Sequence, residues 1–264
     1  MTAFTHDKTP MLEETIADES GPLAFFKAQH QAFAETLAAR CGREDLIDGL
    51  LEQAFSSFEG NVEIQSEGLP PLACHKGCAT CCTLRVTATA PEILMIARYI
   101  PWASAALKRA EVDLEQRIAD ADRVTRGLSE EQRVALRRRC PFIANGVCVI
   151  YPVRPLACRG HASYDKRACV EAAAGRASNI PFSAPHMTVR SLVQHAMQSA
   201  LRDAGYAFGA YELNQAVSMA LADGSCQDRW TAGDDVFAEA LATEVSLDEM
   251  ASTFDAIKGI GRAE

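Results

Sequence analysis

The stretch that decides the fold is Cys74-His-Lys-Gly-Cys78-Ala-Thr-Cys81-Cys82, in which four of nine consecutive residues are cysteine. Gly77 permits the sharp backbone turn that brings thiols so close in sequence toward one point. Four more cysteines follow among prolines and a glycine, which fix loops: Cys140, Cys148, Cys158 and Cys169. Eight of the ten cysteines of the chain therefore lie between residues 74 and 169. We expect a loop-built core around them.

The chemistry of sulfur gives this cluster its predicted role. Thiolates are soft donors, so an intracellular group of them selects zinc, iron–sulfur clusters or copper(I) over magnesium and calcium. Packing as small apolar residues and redox-active disulfides are the alternatives, but eight cysteines in this grouping favour metal binding. We expect Cys41 and Cys226, which lie alone in helical patterns, to be packed in the core. The predicted metal ligands are Cys74, Cys78, Cys81, Cys82, Cys140, Cys148, Cys158 and Cys169.

The number of metal centres stays open at this point. Neighbouring residues of an extended chain point to opposite sides, so Cys81 and Cys82 are not expected to enter one tetrahedral shell. Either one of the two is structural, or the cysteines divide between two centres. His75 and His161 lie within the cluster and are candidates to ligate the metal or to hydrogen-bond a metal-bound sulfur.

The spacing of the cysteines slightly favours iron, as an iron–sulfur cluster, over Zn²⁺, because the repeated Cys-x2-Cys pairs of zinc ribbons are missing. Cys74-x3-Cys78-x2-Cys81 matches the spacing of the radical S-adenosylmethionine motif, whose three thiolates hold an iron–sulfur cluster. Thr80 stands where that superfamily usually has an aromatic residue, and the strand–helix alternation of its barrel is missing from the pattern. The spacing therefore supports iron–sulfur ligation without that enzyme. The other common catalytic motifs are missing from the sequence, so no catalytic residue is predicted.

Helical periodicity surrounds the cysteine region on both sides. The predicted helical blocks are Pro22–Arg40, Arg43–Phe58, Pro91–Arg139 with breaks at Pro101 and at Gly127–Ser129, and Thr188 to the end of the chain. Glu59–Ala73 is predicted to be a loop, and Leu84–Ala88 and Val147–Tyr151 are the strand-like stretches. We predict a mostly α protein, helical with a loop-built, cysteine-rich metal-binding core and at most a few short strands. Its regions are a flexible leader (1–21), an N-terminal helical pair (22–71), a cysteine-cluster metal-binding region (72–175) and a C-terminal helical region (176–264).

Composition narrows the function further. The 264 residues suit one large domain or two small ones, and the net charge of −9 disfavours sequence-independent nucleic-acid binding. Residues 1–18 have no apolar signal-peptide core, and the apolar stretch near Glu92–Ile100 is too short for a membrane span. We expect a cytoplasmic protein with neither a nucleic-acid nor a membrane partner. Ten cysteines in that compartment favour metal or catalysis over disulfides.

Two stretches resemble a known family, the CxxCxxCC cysteine-cluster family of zinc- or iron-chelating domains, also called YkgJ-like. They are CHKGCATCC at residues 74–82 and CPFIANGVCVIYPVRPLACRGH at residues 140–161. The matching features, in order, are Cys140-Pro141-Phe142, Cys148 before Ile150-Tyr151, Arg154-Pro155 before Cys158-Arg159, and Cys169 as the eighth cysteine. Three residues separate Cys74 from Cys78, where the family's name has two.

This resemblance implies metal chelation by the cysteine cluster, with a metal ion as the partner. A lysine N-methylase of flagellin is similar in the same domain. The resemblance therefore also implies an alternative function, a metal-dependent protein-modifying enzyme such as a lysine N-methyltransferase with a protein substrate or partner.

Overall fold

The computed structural model describes residues 21–107, 112–176 and 179–259. The predicted leader lies outside these ranges apart from Gly21. The eleven helices of the described residues are α1 (Pro22–Arg40), α2 (Leu46–Gln65), α3 (Ala90–Leu107), α4 (Leu114–Thr125), α5 (Glu130–Leu136), α6 (Leu156–Gly160), α7 (Lys166–Ala173), α8 (Ala184–Asp203), α9 (Leu213–Ala222), α10 (Cys226–Thr231) and α11 (Leu247–Lys258). Two antiparallel pairs of short strands accompany them: β1 (Thr87–Ala88) with β4 (Tyr211–Glu212), and β2 (Ile143–Ala144) with β3 (Val147–Cys148). The mostly α prediction is confirmed.

The two N-terminal helices follow from their apolar stripes. Helix α1 has the predicted bounds, because Pro22 suits the first helical turn and Phe26, Phe33 and Leu37 are all buried. Helix α2 runs beyond the predicted end, so the first half of the predicted loop 59–73 is wrong. Val62, which is only 8% exposed, continues the buried stripe of α2 and carries the helix to Gln65.

The predicted helix break at Pro101 is also wrong. Helix α3 continues through Pro101 to Leu107, although proline removes a backbone donor inside the helix. The buried side chains Ile96, Ile100 and Ala103 bracket the proline, and their packing outweighs the lost hydrogen bond. The break predicted at Gly127–Ser129 is confirmed, and Ser129 begins α5 with a reciprocal capping box to Gln132.

The remaining differences concern short elements. Of the predicted strand-like stretches, only the last two residues of Leu84–Ala88 and the first two residues of Val147–Tyr151 are paired, as β1 and β3. A 3-10 turn at Tyr151–Val153 follows β3. The block predicted from Thr188 starts earlier, at Ala184, and divides into four helices, α8 to α11. The two small helices α6 and α7, inside the predicted cysteine region, have too few residues to show a helical period in the sequence.

Helix α8 is the central element of the core. It packs against α1, α2, α6 and α11, and its apolar face is almost fully buried at Val189, Val193, Met197 and Leu201. Each such side chain contributes about 1.5–3 kcal/mol relative to an exposed position. The N-terminal helices and the C-terminal helices thus share one core, and α6 brings the cysteine region onto it. In the described ranges, no helix combines the length and the apolar character that crossing a bilayer requires.

Candidate metal centre

The eight predicted ligand cysteines all line one of two cavities beside α6 and α8. The larger cavity, of about 420 Å³, is lined by Cys74, Cys78, Cys81, Cys82, Cys140, Cys148 and Cys158. The smaller, of about 20 Å³, is lined by Cys74, Cys78, Cys81 and Cys169. The structure thus brings together residues that are spread over almost a hundred positions of the sequence.

Successive tight turns place the first group of cysteines. The amide of Cys78 donates to the carbonyl of His75 at 2.9 Å, and the amide of Cys82 donates to the carbonyl of Ala79 at 3.2 Å. Gly77 has φ of +97°, a conformation that L side chains rarely adopt, so glycine is needed at this position. The turn expected from the sequence is confirmed.

A hairpin places the next two cysteines. The amide of Cys140 donates to the carbonyl of Cys82 at 2.6 Å, which joins the hairpin to the first group. Cys148 lies in β3 opposite Ile143 of β2, and the strands are joined by Asn145 and Gly146, both at positive φ. Positive φ at two successive residues is the geometry of a type I′ hairpin turn, for which Asn-Gly is a strong sequence signal. That signal could have revealed β2, which the sequence analysis missed.

Cys158 is positioned by a buried carboxylate that the sequence analysis also missed. Cys158 lies in α6, whose first amide, that of Leu156, donates to Oε1 of Glu92 at 2.7 Å. The other oxygen, Oε2, accepts from the amide of Thr89 at 2.8 Å and from its hydroxyl at 2.9 Å. Burial raises the pKa of Glu92, which is 1% exposed. The sequence signal was Thr89-Ala-Pro-Glu92, a capping-box pattern before an apolar run.

Cys169 belongs to a different part of the site. It lies in α7, whose first turn is capped by the carboxylate of Asp165. Just before that cap, Ser163 pairs with the start of the cysteine region, because its carbonyl accepts from the amide of Ala73 at 3.0 Å. The amide of Ser163 also donates to Sγ of Cys74 at 3.4 Å. Cys74 and the start of α7 are therefore held side by side.

Burial keeps several of the thiols protonated in the metal-free protein. It raises the pKa of Cys140 and that of Cys158 to about 12 each, and it raises the pKa of Cys148 as well. The pKa of Cys81 is raised first by the hydrogen bond between its thiol and that of Cys82 and then by burial. Because a metal binds the thiolate, metal binding at these cysteines releases protons.

The eight thiols are the kind of donor that a soft metal prefers, although their sulfur atoms do not already surround the position of a single ion. All ten cysteines are free thiols, and the eight in the cluster are each partly accessible. Within the described residues, no group of three or more His, Cys, Asp or Glu side chains is already arranged to hold a metal ion. Binding one ion therefore requires side-chain movement that brings the sulfurs together, whereas a larger metal cluster would span more of the space between them.

Arginines also line the larger cavity. The guanidinium of Arg159 is paired with Glu59 at 2.6 Å. The guanidinium of Arg154 lies 4.3 Å from the ring centroid of Tyr151, and among the described residues the buried Nε atoms of Arg154 and Arg190 have no hydrogen-bond partner. Positive charge along the cavity offsets the negative charge that thiols acquire when they lose their protons to bind a metal.

The histidines and the two outlying cysteines complete the site predictions. His75 and His161 both line the larger cavity, and burial lowers the pKa of His161. His186 of α8 lines it too, and no sequence pattern pointed to this residue. Cys226 is buried, as predicted, at 4% exposure. The prediction of a packed Cys41 is wrong, because this thiol lies exposed just after the end of α1.

The two cavities bring eight thiols together, and a known family model covers the same part of the chain. Residues 73–175 match the family CxxCxxCC, described as "Putative zinc- or iron-chelating domain", and this span contains all eight clustered cysteines. The chain carries a domain of the CxxCxxCC family, so the resemblance found in the sequence is confirmed. The chain matches no curated protein and no solved structure.

Proposed function

We propose that this protein is a cytoplasmic metal-binding protein whose eight clustered cysteines chelate iron as an iron–sulfur cluster. The observation that carries the proposal is the convergence of all eight thiols on two adjoining cavities. Packing alone gives partly accessible cysteines no reason to gather from four separate segments around open space. Coordination of a soft metal does give such a reason.

The dimensions of the larger cavity support iron over zinc. A tetrahedral zinc ion draws four sulfurs to about 2.3 Å from one point. Seven of the eight thiols here instead line a cavity of about 420 Å³, and in the described part of the chain no group of them is arranged for a single ion. A cluster of several irons fills more of the space between its thiolate ligands than one ion does.

The charges around the larger cavity support the same assignment. Four thiolates around a cluster leave a net negative charge, and partner charges and hydrogen bonds stabilise such centres. Burial raises the pKa of Cys148 and of Cys158, and the charge of Arg154, which lines the larger cavity and has no ion-pair partner in the described part of the chain, lowers both. The residues present thus supply both the ligands and the compensating charge.

The role of the thiols is set by this environment. Each thiol loses its proton when it binds the metal, and the metal centre supplies Lewis acidity or electron transfer when bound. The hairpin β2–β3 and helix α6 hold their cysteines on separate segments of the backbone. A metal that binds cysteines of both elements therefore links the two segments. Free thiols and the clustered cysteines also fit a reducing compartment. The alternative of a lysine N-methyltransferase stays a prediction of the family resemblance.

Purification without oxygen tests the proposal. We expect a coloured protein with iron and inorganic sulfide in stoichiometric amounts. Cys148→Ser should lose iron, and Cys41→Ser, which alters an exposed thiol outside the cavities, should retain the full content. A colourless protein with stoichiometric zinc would overturn the choice of iron. A protein without metal, purified under the same conditions, would overturn metal chelation altogether.

A further inference from the structure

We propose that the eight cysteines form two separate metal centres of four thiolates each. The small-cavity centre consists of Cys74, Cys78, Cys81 and Cys169, and the large-cavity centre consists of Cys82, Cys140, Cys148 and Cys158. This inference rests on the proposed function, because it divides the ligands of the chelating domain. It assigns to Cys169 and its helix α7 a centre of their own.

The lining of the two cavities is the first argument. Cys169 lines only the smaller cavity, whereas Cys82, Cys140, Cys148 and Cys158 line only the larger one. Cys74, Cys78 and Cys81 line both, and they are the thiols that accompany Cys169 around the smaller cavity. A single centre in the larger cavity would leave Cys169 outside it.

The backbone contacts of the small-cavity centre are the second argument. Ser163 makes two hydrogen bonds to the 73–74 segment: its carbonyl accepts from the amide of Ala73, and its amide donates to Sγ of Cys74. Two residues later, Asp165 begins α7, which carries Cys169. These contacts hold α7 against the turn of the first cysteine group and do not involve the hairpin.

The backbone contacts of the large-cavity centre form a separate network. The carbonyl of Cys82 accepts from the amide of Cys140, so Cys82 belongs with the hairpin that also carries Cys148. Cys158 lines the same cavity, and its helix α6 is held in place by the bond from Leu156 to Glu92. Three segments, each with at least one of these four thiols, thus come together at the larger cavity, and α7 does not take part.

The adjacent pair Cys81 and Cys82 forms the boundary between the centres. Cys81 lines both cavities, whereas Cys82 lines only the larger one. Four thiolates complete a tetrahedral metal shell or the corners of a four-iron cluster, so eight thiolates supply two complete ligand sets. Assigning the pair to different centres satisfies both sets without placing sequence neighbours in one tetrahedral shell.

Anaerobic titration of the reduced, metal-free protein with Co²⁺ tests the division, since cobalt bound to thiolates is followed by its charge-transfer absorption. We expect the parent protein to saturate at two equivalents. Cys169→Ser and Cys148→Ser should each saturate at one equivalent, and the double variant should bind none. Cys41→Ser is the matched control and should still bind two. Circular dichroism of each variant checks that its helices are intact.

Each other outcome has a distinct meaning. Saturation of the parent at one equivalent would overturn the two-centre inference and leave metal chelation in place. The same conclusion would follow if either single variant lost all binding or if Cys169→Ser still bound two equivalents. No binding by the parent protein would instead overturn the proposed function. Parent stoichiometry alone therefore decides the inference even if a serine variant fails to fold.

Discussion

The carboxylate of Glu92 offers the sharpest test of how the fold positions the site. It accepts three hydrogen bonds while almost fully buried, two from Thr89 and one from Leu156 at the start of α6. In Glu92→Gln, the side-chain amide oxygen can accept hydrogen bonds from either Thr89 or Leu156 but not from both. The side-chain amide nitrogen, itself a donor, then faces the donor group of the other residue. Since a hydrogen bond to a charged group is worth about 1.5–3 kcal/mol, we expect Glu92→Gln to lower the free energy of unfolding at pH 7 by about 2–4 kcal/mol.

Thr89→Val is the matched control because it removes one of the three bonds and preserves the shape of the side chain. It should cost about 1.5–3 kcal/mol, and less than Glu92→Gln. Urea unfolding of the reduced, metal-free protein measures both values. A Glu92→Gln variant within 0.5 kcal/mol of the parent, a threshold of roughly the usual effect of a surface substitution, would refute the reasoning.

The pH dependence of the same pair of proteins adds a second readout. Burial raises the pKa of Glu92 in the folded state above its value of about 4.3 in the unfolded chain. The part of its contribution to stability that depends on pH is therefore fully present below the unfolded pKa and is lost as the pH rises through the folded pKa, and the part that comes from the three hydrogen bonds remains. The stability difference between the parent and Glu92→Gln should shrink as the pH rises through that window. A difference that grew with pH would contradict the assigned direction of the shift.

Two further predictions concern helix α8. A Cβ at Gly160 would lie 2.5 Å from Cβ of Arg190, so Gly160→Ala should destabilise the protein by about 1–3 kcal/mol through overpacking. The control Gly60→Ala has open space around the new Cβ and should stabilise α2 by about 0.5–1 kcal/mol. Thermal unfolding of both variants checks this prediction, and equal effects would contradict it. Burial, and next the charge of Arg190, lower the pKa of His195, so its contribution to stability is present above the unfolded pKa of about 6.5 and is lost as the pH falls through the folded pKa. His195→Gln should therefore lose less stability than the parent between pH 7.5 and pH 5 in urea unfolding, and an equal loss would exclude this histidine as the cause.

The sequence could predict the features that depend on local chemistry. Helix α1 was predicted to the residue because Pro22 and a regular apolar stripe define it. The start of α5 at Ser129 followed from a capping pattern, and the turn at Gly77 followed from the spacing of the first cysteines. The eight clustered cysteines were identified as a set because their grouping is itself the signal.

The features that the sequence could not show depend on distant contacts. Pro101 breaks helices on average, but the burial of Ile100 and its neighbours in the core holds α3 together here. The bond between Glu92 and Leu156 joins residues that are far apart in the chain, so no local pattern predicts it. The assignment of Cys169 to the smaller cavity likewise depends on how α7 docks against the first cysteine group.

A thiol-protection measurement tests the central claim, metal binding by the eight clustered cysteines, most directly. The metal-loaded and the chelator-stripped protein are alkylated without oxygen, and mass spectrometry measures the modification of each cysteine. The account predicts that all eight cysteines of the two cavities are protected by the metal and become reactive when it is removed. Cys41, which is exposed, should react equally in both states. If removing the metal changed the reactivity of none of the eight, they would be packing residues and the account would be contradicted.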